Sequence, residues 1–296
     1  MVTLFSTCGS TKIQLVRTFL KVAAGLALVA ILGLGVLYVI YLNDDTRCDA
    51  YVVTGCSVVT LKGDITPEMF VEIRKYLVES TAPKKTLVIE ASGGGNGFAA
   101  LAIAILVHRH RWDVEVVNFC ISSCANFIFP AGKTKYLHRD SIIVFHGGPY
   151  QANLLEYAIE FDRQLASGNA VTGPVTFGQK DKEGTVTFRP GHENSPAEQE
   201  VFDFLSVNMT TAADYVLEIR RVSDRFYEEL GIDPRLSIYG QIGEYEPIYK
   251  SYDFYGFMYR LDALRRLGIG NIELKDGEWH PERNPEYARI YEVAVP

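Results

Sequence analysis

Thr86-Leu87-Val88-Ile89-Glu90 runs through Ala91 into Ser92-Gly93-Gly94-Gly95-Asn96-Gly97, and Phe98 to His108 follows as a largely apolar stretch. The first five residues have the pattern of a buried strand, the glycine run that of a tight turn, and the apolar stretch that of a helix. Strand, turn and buried helix in this order open a parallel βαβ unit. The fold class that follows is α/β, with ligand chemistry in the loops at the carboxyl ends of the strands.

The same alternation extends in both directions. Upstream, Ser57 to Leu61 is an apolar, β-branched strand, and Lys62-Gly63-Asp64 turns the chain. Thr66-Pro67 then supplies an N-cap and a proline at the first helical position, opening an amphipathic helix to about Glu79. Downstream, Val114 to Phe119 reads as a strand, Ser123 to Phe129 as a short apolar helix and Ser141 to Phe145 as a third core strand. Asn153 to Leu165 is helical in pattern. Pro174 to Phe188 gives two alternating runs around Gln179-Lys180-Asp181-Lys182-Glu183-Gly184, predicting a β-hairpin inserted near residues 168–192. Ser195-Pro196 caps a long helical stretch to about Leu230, broken near Thr210-Thr211, and Arg260 to Leu274 reads as helix, Gly268, short strand.

The 296 residues are 48% hydrophobic with a formal net charge of −7, which excludes a disordered tail or a disulfide-stapled miniature. Much of the apolar content lies in one uncharged run, Val22 to Leu42. As a helix its 21 residues span roughly 31 Å, enough to cross a bilayer once. The only charges before it are Lys12, Arg17 and Lys21, while Asp44 and Asp45 follow, so the positive-inside rule puts residues 1–21 in the cytoplasm. Residues 43–296 then form an extracytoplasmic (periplasmic) domain on a single-pass cell-membrane anchor. The run is longer than a signal peptide's apolar region and lacks a small-x-small exit, and a buried core helix is the plainer alternative. Removing the three leading charges leaves −10 for the rest, a poor balance for binding nucleic acid. Outside the cytoplasm, Cys48 with Cys56 and Cys120 with Cys124 could each form a disulfide, against a reading as buried thiols, while Cys8 stays on the reducing side.

Three segments end predicted strands: Gly93-Gly94-Gly95, Cys120-Ile121-Ser122-Ser123-Cys124 and Phe145-His146-Gly147-Gly148. A serine on a strand-to-helix turn exposes its hydroxyl beside outward-pointing amides, which favour a developing negative charge. A glycine turn lets a second amide approach the same point, and a histidine at a strand end can take the serine proton. The glycine run is not a phosphate loop, because no Lys-Ser/Thr follows and the G-x-G-x-x-G spacing is absent. Taken singly, each segment reads as an ordinary turn, helix cap or strand end; their order and spacing point to acyl transfer.

Thr86 to Gly148 resembles the Clp-protease/crotonase superfamily, whose proteolytic members carry strand–Ser-Pro-Gly-Gly–Ala-rich helix; here Ile89-Glu90-Ala91-Ser92-Gly93-Gly94 leads into Phe98-Ala99-Ala100-Leu101-Ala102-Ile103-Ala104. Ser122-Ser123-Cys124-Ala125-Asn126-Phe127-Ile128-Phe129-Pro130-Ala131-Gly132 is similar to the family's nucleophile turn and following helix, and His146 ends the next strand. Asp262 to Ile269 looks like the family's closing segment. The resemblance implies repeated ββα units, Ser123 as nucleophile, His146 as general base, and the amides of Gly94 and Cys124 as oxyanion hole. It implies a membrane-anchored serine peptidase acting on peptide or protein without a cofactor or metal, and a homo-oligomer, since such proteins commonly form rings or trimers. The third triad member would fall near Asp253, with Glu246 and Glu244 next. Ser92 stands where the family has proline, cysteines flank the nucleophile turn, and the hairpin insertion sits where substrate and oligomer contacts would be.

Rival readings remain. A non-catalytic envelope scaffold would keep the fold and use the hairpin and the aromatics from Phe226 to Tyr259 for a partner, although core packing accounts for most of these. Acyl-thioester chemistry is disfavoured because it uses a cytoplasmic cofactor. Cys120 and Cys124 form a disulfide fixing the Ser123 loop, or simply pack, or Cys124 is itself a nucleophile. His108 and His110 read as solvated partners of a helix end rather than metal ligands, and Asn208-Met209-Thr210 as a chance glycosylation pattern within a helix.

Overall fold

The computed structural model describes residues 57–151, 153–167, 179–180, 186–187, 195–251 and 253–295. The Val22 to Leu42 run, Cys8, Cys48 and Cys56 lie outside them. Among the described residues no helix is long and apolar enough to cross a membrane.

The opening strand, turn and helix are β1 (Val58–Lys62), α1 (Pro67–Glu79), β2 (Thr86–Ser92), α2 (Gly97–Arg109) and β3 (Asp113–Ile121). Thr66 caps α1 by accepting the Met69 amide, and Asn96 caps α2 by accepting the Ala99 amide at 2.9 Å. Helix α2 is apolar on every face from Phe98 to Ala104, and all seven of those residues are fully buried. That is the expected fate of a helix with no polar stripe. It is sandwiched between the sheet and a layer formed by α1, α4 (Pro196–Leu205) and α5 (Ala212–Leu230).

The sheet is parallel throughout, in the order β1-β2-β3-β4-β9, where β4 is Lys135–Leu137 and β9 is Ile272–Leu274. β5 (Ile142–Val144) also pairs with β3, so two short strands share one edge of a long one. The first half of β3, Val114 to Val116, takes β4, and the second half, Phe119 to Ile121, takes β5. This α/β architecture with a parallel sheet is the class expected from the βαβ pattern.

The helical stretch after Ser195 breaks where expected. Ser206 ends α4 in a left-handed conformation, and Thr211 opens α5 with a capping box to Asp214. α3 (Leu154–Ala166) packs on α5, and Asp162 accepts the first amides of α5, Ala212 and Ala213, at 2.8 and 2.9 Å. The described strands of the hairpin, β6 (Gln179–Lys180) and β7 (Val186–Thr187), pair antiparallel. α6 (Glu246–Ser251), β8 (Gly256–Met258) and β10 (Ile290–Glu292) were not expected, while α7 (Leu261–Arg266) and Gly268 precede β9 as read. β8 pairs with β10, and Phe257 exchanges both backbone hydrogen bonds with Phe145 at 2.7 Å.

Candidate active site

β3 ends at Ile121 and the chain turns at once. Ser122 takes φ +59°, the left-handed region that a side chain adopts at a cost, and Ser123 returns to helical angles. A π-helical turn, Cys124–Ile128, continues into an α-turn, Phe129–Ala131. The turn is fixed from three sides. The Ser122 amide donates to Val144 on β5 at 2.9 Å, and the Asn126 amide donates back to the Ser122 carbonyl at 2.7 Å. Gly94 lies against it so closely that a Cβ there would stand 2.6 Å from Ser122 Cβ and 2.7 Å from the Ile121 carbonyl. Finally Cys120 and Cys124, both fully buried, are joined by a disulfide that closes the turn. With Cys124 bonded in this way, its thiol is not a nucleophile here.

Ser123 is 5% exposed and its hydroxyl donates to the Gly95 carbonyl at 3.3 Å. His146 follows β5 and faces the same cleft, a space of about 190 Å³ also lined by Gly95, Ser122, Asn126, Phe127 and Gln151. His146 is exposed at the cleft, and desolvation lowers its pKa below 6.5. Two neutral amides hold the start of the His146 loop, and the Arg220 guanidinium donates to the Pro149 carbonyl further along it. Gln241 donates to the His146 carbonyl at 2.8 Å and Asn126 to the Gly147 carbonyl at 2.9 Å. The opposite oxygens, Asn126 Oδ1 and Gln241 Oε1, are buried without a partner among the described residues.

Ser123 and His146 thus meet across one cleft, although no hydrogen bond joins their side chains. Asp253 does not reach it. It is exposed on the chain between α6 and β8, where its amide donates to the Ser251 hydroxyl. Glu246 and Glu244 are also exposed, and among the described residues no carboxylate lines the cleft. The region expected to bring an acid to His146 instead folds as short helical turns on the surface, leaving Gln241 as its contribution. The Gly94 amide is likewise turned away and donates to the Ser92 hydroxyl at 3.3 Å. It is Gly95 that lines the cleft, presenting its carbonyl to Ser123. Cys124 sits where a helical turn's first amides lack an intrahelical partner, as the oxyanion role requires.

Asn126, Gln151 and Gln241 were missed. Asn126 had a visible signal, a lone amide inside an apolar helix. Gln151 follows His146 in the same loop and Gln241 arrives from a distant turn, and neither had one. Elsewhere, His108 faces Glu229 at 3.4 Å, and burial, Lys85 and Arg109 depress the pKa of His110. Asn208-Met209-Thr210 lies in the exposed break between α4 and α5, not within a helix. No protein-family model matches the chain, and no curated protein does.

Proposed function

We propose that the chain is a serine hydrolase working by acyl transfer, with Ser123 as nucleophile and His146 as general base, in a Clp/crotonase-like domain held outside the cytoplasm by the Val22 to Leu42 anchor. The observation that carries this reading is the convergence of Ser123 and His146 on one cleft from the carboxyl ends of neighbouring parallel strands. The Cys120–Cys124 disulfide favours an oxidising compartment. In the reaction, Ser123 Oγ attacks the substrate carbonyl carbon as its proton passes to His146. The oxyanion forms beside the amides at the start of the helical turn, and the leaving group departs with the proton from His146. Water, deprotonated by the same imidazole, then releases the acyl group and restores Ser123. A peptide or protein is the substrate class implied by the resemblance, and a homo-oligomer its assembly. The free oxygens on Asn126 and Gln241 can accept new donors when the His146 loop moves toward Ser123.

A second reading is a non-catalytic binding protein on the same fold. It is favoured by the Ser123 hydroxyl being bonded to Gly95 and by the lack of a carboxylate in the cleft. A fluorophosphonate probe separates the two. Labelling of the wild type that disappears in Ser123→Ala but survives in Ser122→Ala supports the hydrolase. Labelling unchanged in Ser123→Ala removes Ser123 from the role, and labelling lost only in Ser122→Ala transfers it to the left-handed residue of the turn.

A further inference from the structure

A second cleft, of about 240 Å³, opens at the opposite end of β3 and is lined by His108, Arg111, Lys133, Lys135 and Asn271, together with Pro130, Gly132, Leu230, Ile232 and Gly268. Four of these side chains are basic or can become so, and no carboxylate is among them. His108 has a counter-ion outside the cleft in Glu229, so the charge that faces inward belongs to Arg111, Lys133 and Lys135.

Lys135 is the unusual member. The residue is 7% exposed on β4, yet it lines the cleft, and its ammonium has no hydrogen bond or ion pair among the described residues. Neighbouring lysines are provided for: Lys85 lies over Trp112, Lys84 over Tyr136, and Lys275 bonds Glu115 at 3.0 Å. Burying a cation without a partner is costly, and such groups are ordinarily paired.

Part of the internal supply of acceptors is already engaged. α2, α5 and α7 all end at this cleft, and each closes in the same Schellman pattern. Arg111 and Trp112 donate to His108 and Val107, Gly231 and Ile232 to Glu228 and Tyr227, and Gly268 and Ile269 to Arg265 and Leu264. Two of the last carbonyls of each helix are therefore satisfied by backbone amides rather than by an ammonium. At two of these ends the left-handed position is glycine. At the third it is Arg111, with φ +57°, and Asn271 across the cleft is also left-handed, with φ +54°. Two of the five left-handed non-glycine residues among the described ones thus bring polar side chains to the lining.

We propose that this cleft binds a phosphate-class oxyanion, with Lys135 as the buried counter-charge and Arg111 and Lys133 closing over it. A phosphate oxygen would supply the acceptor that Lys135 lacks, and its charge would match the inward-facing cations. The planar guanidinium of Arg111 can grip two oxygens at once. The site is independent of the serine chemistry, since its lining shares no residue with the Ser123 cleft.

The test is calorimetric titration of the full-length chain in detergent with inorganic phosphate. Saturable binding is expected in the wild type and in Ser123→Ala, weakened about tenfold or more in Lys135→Met and in Arg111→Gly. The second variant puts glycine where the helix end prefers it, so its loss of binding cannot come from unfolding. Titration with a short-chain phosphatidic acid separates sources. Tighter binding than phosphate supports a site for a lipid phosphate, and weaker binding supports one for a free phosphate. No saturable phosphate binding at millimolar concentration, or equal affinity in both variants, overturns the assignment.

Discussion

The two ends of β3 solve opposite problems. At its carboxyl end the chain crowds backbone against backbone: Gly94 against the serine turn, Gly95 against Ile65, and a disulfide across the turn itself. The cleft there holds no charged side chain except for what His146 can become. At its amino end three helix termini meet, and Arg111, Lys133 and Lys135 collect in a domain that is acidic overall. Precise placement of neutral groups serves covalent chemistry, where geometry within hydrogen-bond reach decides the rate. Concentrated charge serves ion recognition. One strand therefore links a cleft built by close approach to a cleft lined by charge.

The sharpest way to break this contrast is to give the first end a methyl group. A Cβ at Gly95 would stand 2.3 Å from the Ile65 carbonyl, at a backbone φ of +138°. Gly95→Ala is expected to cost about 3 kcal/mol of stability, read from denaturant unfolding. A cost below about 0.5 kcal/mol, the range of neutral surface changes, would mean that the glycine turn is not held by close approach.

At the other end the effect has the opposite sign. Burial pushes the Lys135 ammonium down to about 8 from 10.5. Below that folded value its destabilisation is fully present, on the order of 3 kcal/mol, and it is relieved as pH rises toward the unfolded value, because the unfolded chain holds the proton more tightly over that window. Lys135→Met should therefore unfold at higher denaturant than the wild type at neutral pH, by about 1 to 3 kcal/mol, and lose the alkaline gain. A variant less stable than the wild type would show that Lys135 has an internal partner after all.

The smallest effect concerns His146. Since desolvation lowers its pKa below 6.5, the labelling rate of Ser123 should fall with acid only at pH values below that figure. An acid limb at or above it would place the imidazole beside a negative charge, and so restore a carboxylate to the mechanism.

The chain's own pattern made most of the first end legible. The strand, the glycine run and the buried helix carry unambiguous periodicity, and the positions of Ser123 and His146 at strand ends were legible because each lies two residues beyond an apolar strand. Asp253 misled because an orienting acid is defined by burial beside the imidazole, a property of distant packing. The second end was unreadable for a different reason. β4 is three residues long and buries most of a lysine, which reverses the polarity rule by which strands are recognised. β8 and β10 are equally short, too brief for alternation to register.

The pairing of β4 with β9 has a consequence for how the molecule is made. Asn271 beside β9 reaches the carbonyl of Lys133 across 138 residues of chain, and Trp279 closes a span of equal length onto Ser141. Contacts of such separation are slow to form, because a long loop must be closed before any of them is gained. As the chain leaves the ribosome, β4 therefore waits as an open edge, with a charged lysine on its inner face to discourage the wrong neighbour. The last quarter of the polypeptide is what seals it.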